Sequence, residues 1–287
     1  MATKKITDLT NVTSVQDSDL LIVETSDGTR SVNRSGLLGG AVVHPYNLLD
    51  NSDFTNPINQ RGQTSFTTTW AKSIDRWYIA STNSENVVVN IVDNGITSTS
   101  QFTMQQRFIK GILDSNKKYT IAVYYTDGTI SVYTNGSMNF NGENFDYISL
   151  AIAAGKTAKH VALYEGEYTA DTMPTYIPKG YAVELMECQR YYYKTNFVMR
   201  LFSYGDQNGT CSGNVYFPVR MHSVPTVTAT VSKLIVDANT DATSSVQRID
   251  YENCNDWTMI SAVTLNTNYS NKNMRMYIDV IEAKAEL

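Results

Sequence analysis

The three histidines are the first residues to consider for catalysis or metal binding, because an imidazole acts as a base or a metal ligand near neutral pH. They are His44, His160 and His222, and each lies in a different segment of the chain. The sequence also lacks the spacing patterns of zinc proteases, nucleophile elbows, phosphate-binding loops and dinucleotide-binding loops. The histidines therefore predict neither a catalytic residue nor a metal ligand.

Paired carboxylates are the second possibility, since a glycosidase needs two of them on either side of the scissile bond. The closest pairs are Glu165 with Glu167 and Asp50 with Asp53. In a strand, every second residue lies on one face in any protein, so such spacings have almost no chemical meaning. An enzyme is therefore the less favoured alternative.

Asp75, Arg76 and Cys188 also carry side chains capable of chemistry, and for each a structural role is the simpler explanation. Asp75 and Arg76 directly precede Trp77, so we expect a structural ion pair or a strand cap beside a buried tryptophan. Cys188 lies on an apolar stripe and fits a small core residue better than a nucleophile. The other cysteines are too distant for a metal knuckle or a disulfide framework, and buried free thiols are expected. We predict a non-enzymatic chain without a cofactor.

Sugar binding is better supported, because flat aromatic faces stack on pyranose rings and amides supply directional hydrogen bonds. Trp257 stands out because it lies in a polar, turn-like stretch. The other rings of this region fit a protein core equally well. The candidate glycan-binding residues are Trp257, Tyr251, Asn255 and Asp256, with Tyr204 and Tyr216 as further aromatic faces.

The composition favours a β-rich protein that does not bind nucleic acid. The 287 residues include 19 tyrosines, and only 18% of them are charged, which is typical of strands with a weakly charged surface. The net charge of -5 and the isoelectric point near 5.2 leave no basic footprint for a polyanion. The sequence has neither a signal peptide nor a run of about 20 apolar residues, so we expect synthesis in a cytoplasm without membrane insertion.

Residues 41–177 form a series of short predicted strands without long helical periods, which predicts a mainly β, two-sheet domain. Turns such as Asp93-Asn94-Gly95 separate the strands. We interpret the domain as a jelly-roll β-sandwich. The predicted strands are Asn86–Val92, Phe102–Ile109, Tyr119–Tyr125, Thr129–Tyr133, Tyr147–Ala153 and His160–Tyr164.

A short helical connector is predicted at residues 178–195. Its Tyr181, Leu185, Cys188 and Tyr192 recur at spacings of four, three and four, so we place them along one helical face and call them the helical seam. A helix of about three turns is not stable alone, so the seam needs a partner. It packs either on its own domain or on symmetry-related copies, and the second choice predicts a homotrimer.

Residues 196–287 predict a second, smaller β-sandwich after the connector. Its loops are rich in Gly, Asn and Asp, which present main-chain and amide groups to a ligand. We therefore place any receptor contact here. The predicted strands are Phe197–Ser203, Gly213–Val219, Thr226–Val236, Ser244–Tyr251, Thr258–Leu265 and Met274–Ile281.

The first 40 residues form a unit too small for an independent core. Leu20–Thr25 and Arg30–Ser35 flank a Ser-Asp-Gly-Thr sequence, and Asp-Gly favours the positive φ values of a tight turn. A β-hairpin is therefore predicted, followed by a glycine-rich break.

Several sequence motifs resemble those of tailed-phage fibre and appendage proteins. The first 40 residues contain KKITDL and DSDLLIVE, and residues 47–77 contain NLLDNSDF, NQRG and IDRW in that order. The most specific match joins ALYEGEY, a Pro-x-x-x-Pro segment and ELMECQRYY, which together span residues 162–192. FPVRM and the ending Ala-Glu-Leu are similar to phrases of fibre tips.

The resemblance implies a structural virion protein, assembled in the host cytoplasm and exposed on the particle as a trimeric head or tail fibre. It also implies that residues 1–40 dock on other virion proteins, that the jelly roll is similar to carbohydrate-binding modules, and that the tip binds a host-surface glycan. Two alternatives stay open: a capsid decoration protein without a receptor, and a carbohydrate-active enzyme or its binding module.

Overall fold

The computed structural model describes residues 20–25, 28–33, 45–67, 71–81, 87–134, 137–203, 210–237, 240–252, 254–265 and 272–287. The chain divides into two compact units, Met1–Pro45 and Tyr46–Leu287. In the first unit, β1 (Leu20–Thr25) pairs with β2 (Gly28–Asn33) in antiparallel register. This confirms the predicted hairpin, although two of its turn residues, Ser26 and Asp27, lie outside the described residues.

The second unit contains one described helix and the remaining described strands. Before the helix these are β3 (Ser65–Thr67), β4 (Ala71–Lys72), β5 (Trp77–Ser81), β6 (Val88–Val92), β7 (Gly95–Thr97), β8 (Phe102–Ile109), β9 (Tyr119–Tyr125), β10 (Ile130–Thr134), β11 (Met138–Asn139), β12 (Phe145–Ile152) and β13 (Thr157–Glu165). The helix α1 (Tyr181–Gln189) is followed by β14 (Tyr192–Ser203), β15 (Thr210–Tyr216), β16 (Thr226–Val236), β17 (Thr240–Asp241), a 3-10 turn (Thr243–Ser245), β18 (Val246–Glu252), β19 (Thr258–Leu265) and β20 (Asn273–Lys284).

The strands before the helix form two antiparallel sheets. One has the order β10-β9-β13-β7-β6-β3, and the other has the order β11-β12-β8-β5-β4. Every second side chain of β12 is buried, as expected for a strand with one face on a core. One buried cluster takes side chains from both sheets, including Ile148 and Leu150 of β12 and Ile121 and Val123 of β9. The predicted mainly β class is confirmed, with sheets consistent with a β-sandwich.

The strands after the helix join in one antiparallel sheet with the order β17-β16-β20-β14-β15-β19-β18. β20 is paired with β16 on one side and with β14 on the other. Its Met274, Met276 and Ile278 belong to a second core cluster together with Leu201 and Leu234. Where two sheets were expected, the described strands share a single sheet, because β15 pairs with the last residues of β14 and connects the two halves.

The helical seam is wrong as a continuous stripe, because α1 ends at Gln189 and Tyr192 is the first residue of β14. The C-cap residue Arg190 is followed by a turn in which Tyr191 N donates to Cys188 O at 3.0 Å. Cys188 and Tyr192 are buried within the chain, whereas Tyr181 is exposed. Among the described residues, no helix is long and apolar enough to span a membrane.

Candidate functional site

The motifs NLLDNSDF, NQRG and IDRW meet around Trp77, whose predicted burial is confirmed. The indole Nε1 donates a hydrogen bond to Asn51 O at 2.8 Å. The Asn51 amide in turn donates to Asp75 O at 2.7 Å and to Ile58 O at 2.9 Å. Asn51 has a φ of 51°, a left-handed conformation that asparagine tolerates better than most residues. This asparagine therefore ties three separate segments together.

Arg61 links these segments to the C-terminal sheet. Its Nη1 lies 2.9 Å from Asp75 Oδ1, and its Nη2 lies 2.5 Å from Glu286 Oε1. Lys72 also pairs with Glu286, and the Arg61 guanidinium carbon lies 3.8 Å from the centre of the Tyr192 ring. The Asp75 side chain has no exposed surface, and burial raises its pKa to about 6 despite the opposing hydrogen bonds and the Arg61 charge.

Arg76 has a φ of 72° and belongs to a second cluster of charges. Its Nε lies 3.0 Å from Asp50 Oδ2, and its guanidinium carbon lies 3.5 Å from the centre of the Tyr191 ring. Burial by itself raises the pKa of Asp50, but the charges of Arg76 and Lys179 hold it below its usual value. An ion pair between Asp75 and Arg76 is therefore the wrong prediction, since each side chain has its charged partner elsewhere.

Further hydrogen bonds connect the sandwich strands with the C-terminal sheet. Gln60 Nε2 donates to Tyr192 O at 2.7 Å, and both Tyr78 OH and Arg107 Nη1 donate to Leu287 O, at 2.7 and 2.9 Å. Because these buried charges pair with each other, they hold neighbouring segments together and do not line an open cleft. We call this group the junction; it consists of Asp50, Arg61, Asp75, Arg76 and Glu286. The junction was not predicted from the sequence, although NQRG and IDRW each combine an acidic or amide side chain with an arginine.

The residues considered for acid–base chemistry make separate local contacts. Glu165 pairs with Lys117 at 2.9 Å near the surface. Asp53 Oδ1 accepts a main-chain N–H two residues further along. His160 stacks on Tyr176 with a centroid distance of 4.0 Å, and burial lowers its pKa to about 4. His44 lies outside the described residues, within which no three His, Cys, Asp or Glu side chains converge to hold a metal ion.

The cysteines are free thiols in the structure. Cys188 and Cys211 are fully buried, which confirms that part of the prediction. Burial raises the pKa of Cys211 to about 11 and the pKa of Cys188 well above its usual value. Cys254 is only partly buried, and its Sγ lies 3.7 Å from Pro225 O.

Trp257 lies in the connection between β18 and β19, with 52% of its surface exposed. Several hydrogen bonds fix this loop. Asn255 Oδ1 accepts the main-chain N–H groups of Trp257 and Thr258, both at 2.8 Å. Trp257 O accepts a hydrogen bond from Phe217 N at 3.0 Å. The indole is thus an exposed aromatic face on a loop that is fixed by Asn255 from within and by the main chain of Phe217 from outside.

The other predicted glycan-binding residues have different environments. The Asn255 side-chain oxygen holds the loop itself, and Asp256 Oδ2 forms an ion pair with Arg220 Nε at 2.5 Å. Tyr251 pairs through its main chain with Ser261, and its side chain lies outside the described part of the chain. Tyr204 lies outside it altogether. The structure therefore brings Trp257, Asn255 and Asp256 together, with Arg220 as a neighbour that sequence analysis missed.

A groove of about 690 Å³ opens between β14 and β15. Met199 and Val215 are its buried lining residues, whereas Val198 and Tyr216 are exposed along it. Tyr216 is the last residue of β15 and pairs with Thr258, the residue after Trp257. The groove and the Trp257 loop thus lie at the same end of the β15–β19 pair.

Comparison with protein-family models, with curated proteins and with solved structures found no match for this chain. The resemblance of the sequence motifs to phage proteins therefore stays an expectation.

Proposed function

We propose that this chain is a structural protein of a tailed-phage virion, a trimeric fibre or appendage that attaches the particle to glycans on the host surface. Residues 1–40 dock on other virion proteins in this proposal. Residues 41–177 are a jelly roll of the type found in carbohydrate-binding modules, residues 178–195 are the connector and residues 196–287 are the tip.

The observation that carries the glycan-binding proposal is the anchored, exposed indole of Trp257. Stacking on a sugar ring requires a flat aromatic face that is open to solvent and does not lose much conformational freedom on binding. The Asn255 hydrogen bonds hold the loop in place before any ligand arrives. The Arg220 side chain is 66% exposed and is held next to the Trp257 loop by its ion pair with Asp256. Its remaining N–H groups can donate to sugar hydroxyls.

Two further features support the virion assignment. The division of the chain after Pro45 agrees with a separate N-terminal segment that docks elsewhere. The junction supports a rigid appendage, because it connects the sandwich strands to the C-terminal sheet through largely buried ion pairs such as Arg61 with Glu286. A receptor-binding part has to transmit force to the particle without unfolding.

The outer face of α1 supports assembly into a homotrimer. Val183 and Met186 are exposed on this helix, whereas Glu184 and Cys188 are buried beneath it. A helix that exposes apolar side chains and buries a carboxylate is the reverse of the usual surface helix. A second and third copy of the chain would cover this face.

The glycan proposal is tested with purified protein and host cells by comparing Trp257→Ala with wild type. Loss of a stacked ring costs about 1 kcal/mol, so we expect about fivefold weaker cell binding. Ile112→Ala is the matched control, because Ile112 is an exposed apolar side chain of the sandwich. Equal binding by wild type and Trp257→Ala contradicts the site, and release of reducing sugar from host capsule by the protein contradicts the non-enzymatic assignment.

A further inference from the structure

β14 and β15 separate soon after the connection between them. They are paired over only two residue pairs, next to that connection. The other edge of each strand is paired over its length. β14 pairs with β20 from Tyr192 onward, and β15 pairs with β19 up to Tyr216. The two strands are still in contact at Gly213, whose backbone lies against Arg200 O, and Lys194 N donates to the Gln60 side chain. Beyond these contacts, along residues 195–199 and 214–216, each strand turns an edge toward the other that has no partner among the described strands.

The space between these edges is the groove of about 690 Å³. Met199 and Val215 form an apolar floor, and Val198 stands along the groove with 51% of its surface exposed. Neither stretch contains a proline, so no main-chain donor is missing from it. The groove thus has an apolar base and two rows of main-chain donors and acceptors.

Two facing, unpaired edges are unusual, because a single exposed edge is already a site at which another strand adds. A strand placed between them would gain hydrogen bonds on both sides. We propose that the groove binds an extended segment of another polypeptide, which adds as a strand between β14 and β15. This is recognition by β-augmentation, in which the main chain provides affinity and alternate side chains provide specificity.

The groove also defines the chemistry of the segment. The open part of β15 covers the three residues 214–216, or about 10 Å at ~3.3 Å per residue, so about three residues of the partner pair on both sides. Apolar side chains at alternate positions face Met199 and Val215. An acidic side chain lies near Arg200, which is exposed and has no ion-pair partner in the described part of the chain.

An oligosaccharide lacks the regularly spaced N–H and C=O groups that both edges of the groove match, so a polypeptide is the better fit. This site is separate from the glycan-binding loop of Trp257.

The test uses a random library of peptides of about eight residues, panned on the full chain. Affinities of the enriched peptides are then measured by fluorescence anisotropy. We expect enriched peptides with alternating apolar residues and at least one acidic residue. Methylation of alternate main-chain nitrogens of such a peptide should weaken binding at least about tenfold, because it removes ladder hydrogen bonds while leaving the side chains unchanged.

Val198→Glu and Val224→Glu are a matched pair of variants. Both valines are exposed, at 51% and 61%, and Val198 lines the groove whereas Val224 is not among its lining residues. We expect at least about tenfold weaker peptide binding by the first and less than about twofold change by the second. Thr195→Lys, also in the groove, serves if Val198→Glu fails to fold.

Three outcomes would overturn the proposal. The first is that no peptide is enriched. The second is that the enriched peptides bind the groove variants, or bind after methylation, as tightly as before. The third is that chito-oligosaccharides displace them and protect the groove, which would make it a sugar site. Loss of glycan binding on Trp257→Ala leaves this proposal unaffected.

Discussion

Glu184 is a buried carboxyl group whose protonation should set the stability of the chain near neutral pH. Its side chain lies beneath α1 with 6% of the residue exposed. Oε2 accepts a hydrogen bond from Asn51 N, and Oε1 is a buried atom without a hydrogen-bond partner in the described part of the chain. Burial raises the pKa of Glu184 to about 7; the charge of Lys179 opposes this increase and the charge of Glu187 adds to it.

The sign of the pH dependence follows from this raised pKa. In the folded chain Glu184 keeps its proton up to about pH 7, whereas in the unfolded chain it releases the proton near pH 4.5. The contribution of this group to folding stability is therefore largest below pH 4.5. Folding stability then falls as the pH rises through this window, by about 1.4 kcal/mol per pH unit, and is constant above it. The contribution of Glu184 over the whole window is about 3 kcal/mol, and incomplete burial reduces it to about 2 kcal/mol.

The perturbation is Glu184→Gln, which resembles the protonated acid and cannot ionise. We expect the free energy of unfolding of the variant to equal that of wild type at about pH 4.5 and to exceed it by about 2 kcal/mol at about pH 8. Urea denaturation followed by circular dichroism at several pH values measures both quantities. Glu165→Gln, at an exposed ion pair, is the control and should change stability by less than about 0.5 kcal/mol at either pH.

Two results would refute this reasoning. A difference between variant and wild type that is the same at both pH values would show that packing, and not ionisation, distinguishes them. A variant that is less stable at the higher pH would show that Glu184 is ionised and usefully paired in the folded chain. Asp75, whose pKa burial raises to about 6, contributes to the pH dependence of both proteins and cancels in the comparison.

Three further predictions test the junction, the helix and the N-terminal unit. Arg61→Ala leaves buried Asp75 without its cation and should lower the free energy of unfolding by about 3 kcal/mol. Lys117→Ala, at the exposed pair with Glu165, should leave it almost unchanged in the same urea titration. Met186→Asp should convert the trimer to a monomer in sedimentation at micromolar concentration, whereas Ile112→Asp should not. A wild-type chain that sediments as a monomer would contradict the trimer proposal. A chain that begins at Tyr46 should fold with an unchanged melting temperature and fail to enter particles, and its incorporation would contradict docking through the first segment.

Local sequence patterns were sufficient to place most strands of the chain. Phe102–Ile109, Tyr119–Tyr125, Thr226–Val236 and Thr258–Leu265 were predicted at the bounds that the structure has. These stretches are rich in β-branched and aromatic residues and are bounded by turn residues, so their conformation follows from local preference. Trp257 was selected as a candidate because the residues around it are polar and favour a turn, and in the structure its indole is exposed.

Other features depended on which residues meet in the folded chain. Tyr192 continues a helical period in the sequence, yet it begins β14, because its ring packs under the Arg61 guanidinium and its main chain pairs with Lys284. Asp75 stands next to Arg76 in sequence, but its partner is Arg61, since the positive φ of Arg76 accompanies a change of chain direction.

The groove between β14 and β15 and the proton affinity of Glu184 are likewise tertiary properties. Strand periodicity predicts that β14 and β15 exist, but their separation depends on the outer partners β20 and β19, which are distant in sequence. A glutamate on a short helix is expected to face water. Burial of Glu184 against Asn51, 133 residues away, changes its pKa, and only the fold brings those two residues together.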